Sequence, residues 1–505
     1  MLHTPVRFAR FRPILTTVLV LIVLVVCWLG LEVFFALTAK PNPTVDYGAK
    51  LMEYQAAWQG GDESDDVWSV LIEAVELHQR LIDGLIDEDT GIAYRDLEWG
   101  YEAVSEYGKL IEDKISDEKW ISNGYDSEAQ GRGQIDLCRE LSLRAIAAWE
   151  DSGILARLDQ VAVGQRAVRP FPDTTQTQLI NVLLPELGEM RKMARGLRAQ
   201  MILARDAGDW ETYSRAFEHA MAIGRTECSQ QILVERLVGI AIRALAVGQV
   251  HEDVMASRLP SRALAMVDGV IERQSRIPPL SYAFEGERAM GLDIVQWLHD
   301  SRGRIILSDI SQFNGFGGRS RHPIVNVVSI AYPRKKDTER WYNRFFDEAA
   351  AWYDMPVYER RSGEDPIFEM ELEIADSWRF PIQMMMIPAL DKSASANDRA
   401  TLNEIGLRTL MAIERFRLDT GELPASLVYL VPEYLDESPV DPYADGVALL
   451  RYRVLETEDD AGRSYLLYSV GYDGTDDDAT PSEFYLGALR YRGRDTDYII
   501  NQSRE

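Results

Sequence analysis

The residues with the clearest capacity for chemistry lie in one acidic phrase near the end of the 505-residue chain, YSVGYDGTDDDA. Hard-oxygen side chains crowd six consecutive positions of this phrase, at Asp473, Thr475, Asp476, Asp477 and Asp478. Clustered carboxylates repel one another unless a cation or water screens them, and calcium prefers such oxygen ligands. Gly471 and Gly474 let the phrase curl, so that carbonyl and carboxylate oxygens can point inward. The spacing therefore predicts a loop that is able to hold a hard cation.

Two interpretations of this phrase stay open, a calcium site and a solvated acidic turn. Runs of aspartate are common on acidic surfaces, which favours the turn. The spacing is not that of an EF-hand, because a frame starting at Asp473 has Asp478 where that loop needs Gly and Phe484 where it needs Glu. The phrase therefore indicates a cation site of another kind or no site at all.

Other kinds of catalytic or metal site have little support in the sequence. The histidines are scattered, without paired spacing on one helical turn, at His3, His78, His219, His251, His299 and His322. Cys27, Cys138 and Cys228 form no CxxC pair, which argues against a disulfide framework and a thiolate zinc site. No GxSxG elbow or Gly-rich phosphate loop is present, and carboxylates are too plentiful to single out a pair. We predict a non-catalytic protein, while catalytic groups that converge from distant segments stay an open alternative.

The composition limits the class of protein that carries the acidic phrase. Lys and Arg number 54 against 81 Asp and Glu, giving a net charge of −27, and 46% of the residues are hydrophobic. Such a chain can bury a core, and its length suggests two to four folded units at roughly 100–200 residues each. Its negative charge repels a phosphate backbone, so nucleic acid is excluded as a partner.

An apolar run at residues 14–37 predicts a transmembrane helix, since roughly 20 apolar residues cross about 30 Å of hydrocarbon. Arg7, Arg10 and Arg12 precede it without any acidic residue, so the positive-inside rule makes residues 1–13 a cytoplasmic basic tail. A cleaved signal peptide is the alternative, although the run is long for one and Leu37 occupies a cleavage position that favours a small residue. We therefore predict a single-pass inner-membrane protein with its bulk in the periplasm or otherwise outside the cytoplasm.

Residues 44–300 show helical periodicity and predict an irregular helical bundle. Apolar periods on both sides of Gly208-Asp209 indicate one tetratricopeptide-like hairpin, without the further copies that a solenoid needs. Residues 301–396 comprise a basic, Gly-rich loop and further helices. Cations beside apolar side chains suggest contact with anionic lipid through Arg319, Arg321, Arg334, Lys335 and Lys336. An exposed loop that pairs with the protein's own acidic surface is the alternative.

Residues 397–505 predict a small α+β domain, in which a helix precedes two strands, 449–455 and 465–470, paired across the turn EDDAGR. The helix ends in FRLDTGELP, the loop SPVDPYADG leads into an aromatic strand, and YSVGYDGTDDD and DTDYII follow. Together these phrases resemble the C-terminal globular domain of the major pseudopilins of type II secretion systems. The resemblance covers about the last fifth of the chain and implies a calcium-binding loop that includes Asp473 and the closing Asp497.

The chain departs from a pseudopilin at its N-terminus. A pseudopilin begins with a short basic leader, a Gly cleavage point and an apolar helix that continues into the globular domain. Here the apolar helix lies some 360 residues before that domain, and no such leader is present. The whole layout also resembles large uncharacterised membrane-anchored families of planctomycete-type bacteria, a likeness that implies no activity.

Two functions follow as hypotheses. The first is a membrane-anchored extracytoplasmic scaffold or interaction protein, with a calcium-stabilised pseudopilin-like domain and protein partners in type II secretion or cell-envelope assembly. The second is a cell-envelope hydrolase whose site lies in the helical region. A hydrolase requires a deep pocket with converging carboxylates or a perturbed histidine, whereas a scaffold requires an open groove.

Overall fold

The computed structural model describes residues 11–88, 91–94, 100–104, 128–182, 184–309, 322–375, 390–480 and 497–502. Most of them are helical, and a small antiparallel sheet lies near the C-terminus, which confirms the mainly helical class. The α-helices are α1 (Phe11–Leu37), α2 (Tyr47–Gln59), α3 (Trp68–Gly84), α4 (Glu128–Ala147), α5 (Ile154–Val163), α6 (Glu186–Ala207), α7 (Trp210–Cys228), α8 (Leu233–Met255), α9 (Ser261–Arg273), α10 (Ser281–Trp297), α11 (Lys335–Tyr353), α12 (Val357–Ser362), α13 (Pro366–Ala375) and α14 (Leu390–Thr420). Short 3-10 helices span Glu63–Asp65, Gly100–Val104, Leu179–Asn181, Pro323–Ala331 and Leu427–Leu430.

Helix α1 is the one described helix that is long and apolar enough to cross a membrane. Its window Val20–Leu37 has a mean hydropathy of 2.8, and only 6% of the window is buried. Large apolar side chains therefore face outward along its length, as in Leu24 and Phe34, which are each 59% exposed. An apolar helix near the N-terminus has this property in a membrane anchor and in a signal sequence alike.

The predicted hairpin is formed by α6 and α7. Gly208 ends α6 with a φ of 71°, and Asp209 caps α7 by accepting a hydrogen bond from the Thr212 amide at 3.0 Å. Helix α7 then crosses α8 at two glycines. A Cβ on Gly239 would lie 2.6 Å from the Gly224 carbonyl oxygen, so only glycine permits this approach.

The second of two consecutive helices starts later than its periodicity predicts. The apolar period predicts a further helix from Cys228 to Val254, whereas Cys228 ends α7 and α8 begins at Leu233. The intervening residues make a tight connection in which Gln230 and Gln231 are fully buried. These polar side chains therefore belong to the connection between the two helices.

The apolar core is continuous from the bundle into the C-terminal unit. One cluster of buried side chains extends from Leu71 on α3 through α6 to α9, and on to Leu467 and Ile500 beside the sheet. A second cluster joins α2, α10, α11 and α13. It contains the aromatic face of α11, whose side chains Trp341, Tyr342, Phe345, Phe346 and Trp352 are all buried.

The sheet has the order β1 (Arg451–Val454), β2 (Tyr465–Ser469) and β3 (Tyr498–Ile499), with antiparallel neighbours. Arg451 is opposite Tyr468, and Tyr468 is opposite Ile499. The predicted hairpin across EDDAGR is therefore confirmed. Helix α14, 31 residues long, packs against α8 and α9 with one part and against β2 with another.

Candidate functional site

The acidic phrase forms a curled loop after β2. Gly471 and Gly474 have φ angles of 68° and 72°, and Asp478 and Ala479 also adopt left-handed conformations, which side chains disfavour. Asp497 offsets this strain, because its carboxylate accepts hydrogen bonds from the amides of Ala479 at 2.7 Å and Asp477 at 3.4 Å. The loop is thus wrapped around one buried carboxylate that precedes β3.

Two carboxylates of the loop face arginines on β1. Asp476 accepts hydrogen bonds from Arg451 Nε at 2.9 Å and from the Tyr468 hydroxyl at 3.0 Å. Asp478 accepts one from Arg453 Nη1 at 2.6 Å. Partial burial raises the pKa of Asp476, but these hydrogen bonds bring it below its ordinary value. Alternate residues of one strand therefore neutralise alternate aspartates of the loop.

The remaining carboxylates leave negative charge inside the loop. Asp473 accepts a hydrogen bond from the Thr475 amide at 3.0 Å, whereas Asp477 Oδ2 is shielded from solvent without a hydrogen-bond partner. Burial raises the pKa of Asp497, and the charges of Asp476 and Asp477 raise it further. Across the part of the chain that the structure describes, no three His, Cys, Asp or Glu side chains are arranged to hold a metal ion.

Arg361 at the end of α12 fixes the outside of this loop. Its Nη1 donates to the carbonyls of Tyr443 at 3.1 Å and Tyr472 at 3.3 Å, and its Nη2 pairs with Asp445. A Cβ on Gly474 would lie 2.0 Å from Arg361 Nη1. A side chain at this position would therefore displace the end of Arg361, and the positive φ is what favours glycine.

Asp441 is a structural residue of the site that the sequence analysis did not single out. Asp441 belongs to the phrase SPVDPYADG, and its side chain is buried. It accepts hydrogen bonds from the Tyr443 amide at 3.0 Å, from Ser469 Oγ at 2.7 Å and from the Val470 amide at 3.0 Å. It thus joins that phrase to the end of β2. In the sequence, its position between two prolines of an aromatic loop is the feature that could have identified it.

A second group of functional interest joins α1 to the bundle. Glu32 pairs with both Arg302 and Arg304, whose Nη2 atoms lie 3.2 Å and 3.0 Å from its two carboxylate oxygens. The Arg302 guanidinium also stacks on Phe35 at 4.0 Å. In the sequence Glu32 only interrupts an apolar run, and the two arginines belong to a basic segment. The structure makes them one clamp, which we call the anchor clamp.

The cations predicted to contact lipid are only partly described. Arg319 and Arg321 lie outside the described residues. Arg334 is exposed and donates to the Arg302 carbonyl at 3.2 Å, while Lys335 and Lys336 begin α11, with Lys335 3.9 Å from Glu339. These three residues therefore lie next to the anchor clamp.

A third group lies inside the bundle, where Arg169 lies close to three carboxylates. Its guanidinium pairs with Glu186 and Glu235 and stacks on Trp68 at 4.4 Å. Glu227 at the end of α7 is fully buried, and neither of its carboxylate oxygens has a hydrogen-bond partner. We call Arg169, Glu186, Glu227 and Glu235 the Arg169 cluster.

The Arg169 cluster has one cation for three acids, so full ionisation would leave net negative charge in the core at a cost of several kcal/mol per unpaired ion. Burial raises the pKa of Glu227 well above its ordinary range, and the neighbouring charge of Glu235 raises it further. Burial also raises the pKa of Glu235, although Arg169 opposes that change. Burial therefore favours the protonated form of Glu227.

The Arg169 cluster does not line the small cavity found in this part of the bundle. That cavity, of about 20 Å³, is lined by residues that include Gln59, Arg225 and Thr226. Two buried histidines have a pKa lowered to about 4, His78 and His299, mainly because burial disfavours the imidazolium. His78 contacts the Tyr101 hydroxyl at 3.1 Å and His299 the Val295 carbonyl at 2.6 Å, so each fills a core position.

Comparison with known proteins adds no relative from which to transfer a role. No family model matches the chain, and no curated protein or solved structure matches it.

Proposed function

We propose that this protein is a non-catalytic, membrane-anchored extracytoplasmic scaffold or interaction protein. The observation that carries the proposal is the combination of α1 and the anchor clamp. Helix α1 presents apolar side chains outward, and Glu32 near its end is bound by Arg302 and Arg304 of the folded body. This contact supports an uncleaved helix, because cleavage after it would leave both arginines without Glu32.

The proposed orientation follows from charge. Arg7, Arg10 and Arg12 remain in the cytoplasm, and the acidic body lies in the periplasm or outside the cell. The body then offers an acidic helical surface together with a rigid C-terminal unit. By resemblance of its phrases, we propose that this unit is a pseudopilin-like docking module in type II secretion or cell-envelope assembly.

We expect the full chain, expressed in a Gram-negative host, to resist carbonate extraction and to expose only its C-terminal end to protease added to spheroplasts. An N-terminal tag should stay protected, since the positive-inside rule retains it in the cytoplasm. The matched variant replaces Arg7, Arg10 and Arg12 by Glu and should lower the fraction in this orientation. A mature chain that starts near Lys40 and is released by carbonate would contradict the proposal.

We also propose that the acidic loop binds calcium. Support comes from the solvent-shielded Asp477 Oδ2, which has no hydrogen-bond partner, and from the raised pKa of Asp497 beside Asp476 and Asp477. A divalent cation would remove both penalties. Because Arg451 and Arg453 already engage Asp476 and Asp478, binding at these side chains has to compete with two ion pairs.

Calcium is expected to raise the thermal midpoint of the full chain in detergent, since a ligand at about 100 times its Kd stabilises the folded state by about 2.7 kcal/mol. Asp477→Asn should abolish the increase, whereas Asp62→Asn, at an exposed acidic position, should retain it. Differential scanning fluorimetry with calcium and with magnesium measures both effects. An equal midpoint with and without millimolar calcium would leave the solvated acidic turn as the explanation.

We propose that Arg334, Lys335 and Lys336 contact anionic headgroups. Their position beside the anchor clamp supports this, because each cation near an anionic surface contributes about 1 kcal/mol. Arg319 and Arg321 belong to the same proposal on sequence grounds alone.

The alternative proposal, a cell-envelope hydrolase, has one observation in its favour. The Arg169 cluster places Glu227, whose pKa burial raises, beside other carboxylates, an arrangement that acid–base catalysis uses. Glu227 and Glu235 are completely buried, however, so a substrate would reach them only after the connection between α7 and α8 opened.

A further inference from the structure

The 3-10 helix Pro323–Ala331 has the reverse of the polarity expected in a water-soluble protein. Its polar side chains are buried, with Asn326 only 3% and Ser329 6% exposed. Three of its apolar side chains face outward, with Ile324 48%, Val328 56% and Ile330 55% exposed. Helices on a soluble surface place their residues the other way round. We call Ile324, Val328 and Ile330 the apolar ridge.

The reversed polarity is fixed by hydrogen bonds from Asn326 to α1 and to Ser308. Asn326 Nδ2 donates to the Ala36 carbonyl at 3.1 Å and to Ser308 Oγ at 3.2 Å, and Asn326 Oδ1 accepts from the Ser308 amide at 2.9 Å. Asn326 therefore satisfies a carbonyl at the end of α1, where the helix provides no amide. The 3-10 helix cannot rotate its apolar ridge inward without breaking these bonds.

The anchor clamp sets the height of this helix relative to a membrane. Charged groups belong at the interface, so Glu32, Arg302 and Arg304 mark the outer edge of the hydrocarbon. Residues 13–31 of α1 then span about 28 Å at 1.5 Å per residue, which matches a hydrocarbon core of about 30 Å. Ala36, which the 3-10 helix contacts, lies just beyond that edge.

We infer that the 3-10 helix Pro323–Ala331 is a second membrane contact, which inserts its apolar ridge into the outer leaflet beside α1. Its occupant is the lipid at the boundary of headgroups and acyl chains, because the 3-10 helix packs against α1, whose Phe34 and Leu37 are exposed as well. Two attachments joined by the anchor clamp hold the body at a fixed tilt on the membrane. The inference rests on the proposed anchor, since the height of the ridge follows from the position of α1.

The test uses the full chain in phosphatidylcholine liposomes, with the dye NBD attached at one cysteine at a time. Native Cys27 reports on α1, and Val328→Cys and Val447→Cys are made in a Cys27→Ser background. Val447 is 84% exposed in the C-terminal unit and is the matched control. Cys138 and Cys228 are buried, and burial raises the pKa of the Cys228 thiol, so they stay unlabelled in the folded protein.

The dye at position 328 should emit at shorter wavelength than the dye at 447 and be quenched by lipids spin-labelled near the headgroup. Its iodide quenching constant should be several-fold lower than that at 447. Equal iodide quenching at 328 and 447, with Cys27 quenched by lipids labelled deep in the acyl chain, overturns the inference and leaves the anchor intact. If iodide quenches the dye at Cys27 and lipids spin-labelled deep in the acyl chain do not, both the inference and the proposed anchor are overturned. Circular dichroism of each variant checks that the fold is retained. We expect this result because the replaced valines are exposed.

Discussion

Removing the carboxylate of Glu404 is expected to lower the free energy of unfolding by about 2–4 kcal/mol. Glu404 on α14 forms a two-pronged ion pair with Arg243 on α8, with Nε–Oε1 at 2.8 Å and Nη2–Oε2 at 2.7 Å. Arg243 is 3% exposed, so Glu404→Ala leaves its charge in the core without a carboxylate. Arg243 keeps its bond to the Gln274 carbonyl at 3.0 Å, which places the loss below that of a wholly unpaired ion.

We also expect Glu404→Ala to let the C-terminal unit separate from the bundle more readily. Urea denaturation of the full chain in detergent measures stability, and limited proteolysis near α14 measures separation. Glu211→Ala is the matched control, since the pair of Glu211 with Arg262 is exposed on both sides and should contribute less than about 1 kcal/mol. The double variant Arg243→Met with Glu404→Leu should recover most of the stability, because apolar side chains can replace a buried pair. Equal stability of Glu404→Ala and the parent would show that the Arg243–Glu404 pair does not hold the C-terminal unit to the bundle.

The Arg243–Glu404 pair is one of several contacts that join residues 397–505 to the helical bundle. His251 on α8 contacts the Ile500 carbonyl at 2.6 Å, and Arg408 on α14 bonds to Asp268 on α9 at 2.7 Å. Together with the continuous apolar core, these contacts attach α14 and the sheet to the bundle.

The parts of the fold that follow from the sequence are those that local periodicity determines. The turn at Gly208-Asp209 and the β1–β2 hairpin each depend on neighbouring residues, so their positions are predictable. The pair Arg243–Glu404 joins residues 161 positions apart, and no local pattern encodes it. Folding brings such residues together through packing of distant helices, which one sequence does not reveal.

The candidate sites show the same limit. The aspartates of the acidic loop are visible in the sequence, but their pairing with Arg451 and Arg453 follows from the strand register. The apolar phrase PIVNVVSIAYP is equally visible, and only the fold shows that Asn326 faces inward. The pair Glu32 with Arg304 joins residues 272 positions apart, so the anchor clamp needs the fold as well.

Substituting Glu227 by Gln is expected to raise the stability of the protein at pH 8 by up to about 5 kcal/mol. Because burial raises the pKa of Glu227 in the folded state, the folded chain keeps a proton that the unfolded chain releases above its ordinary pKa of 4.5. The folded state then binds more protons, so stability falls as pH rises, by about 1.4 kcal/mol per pH unit for one such group. Glutamine does not titrate, so the variant should lose this contribution to the slope.

Urea denaturation of the full chain at several pH values from 4.5 to 8 tests this expectation. Glu235→Gln is the matched variant in the same cluster, and it should instead destabilise the protein at pH 8, because it removes one of the two carboxylates that compensate the buried charge of Arg169. If Glu227→Gln lowers stability at pH 8 with an unchanged slope, Glu227 is ionised and holds a cation in the core. Opposite signs for the two variants identify Glu227 as the neutral acid of the Arg169 cluster, which leaves Arg169 with the two carboxylates that it contacts.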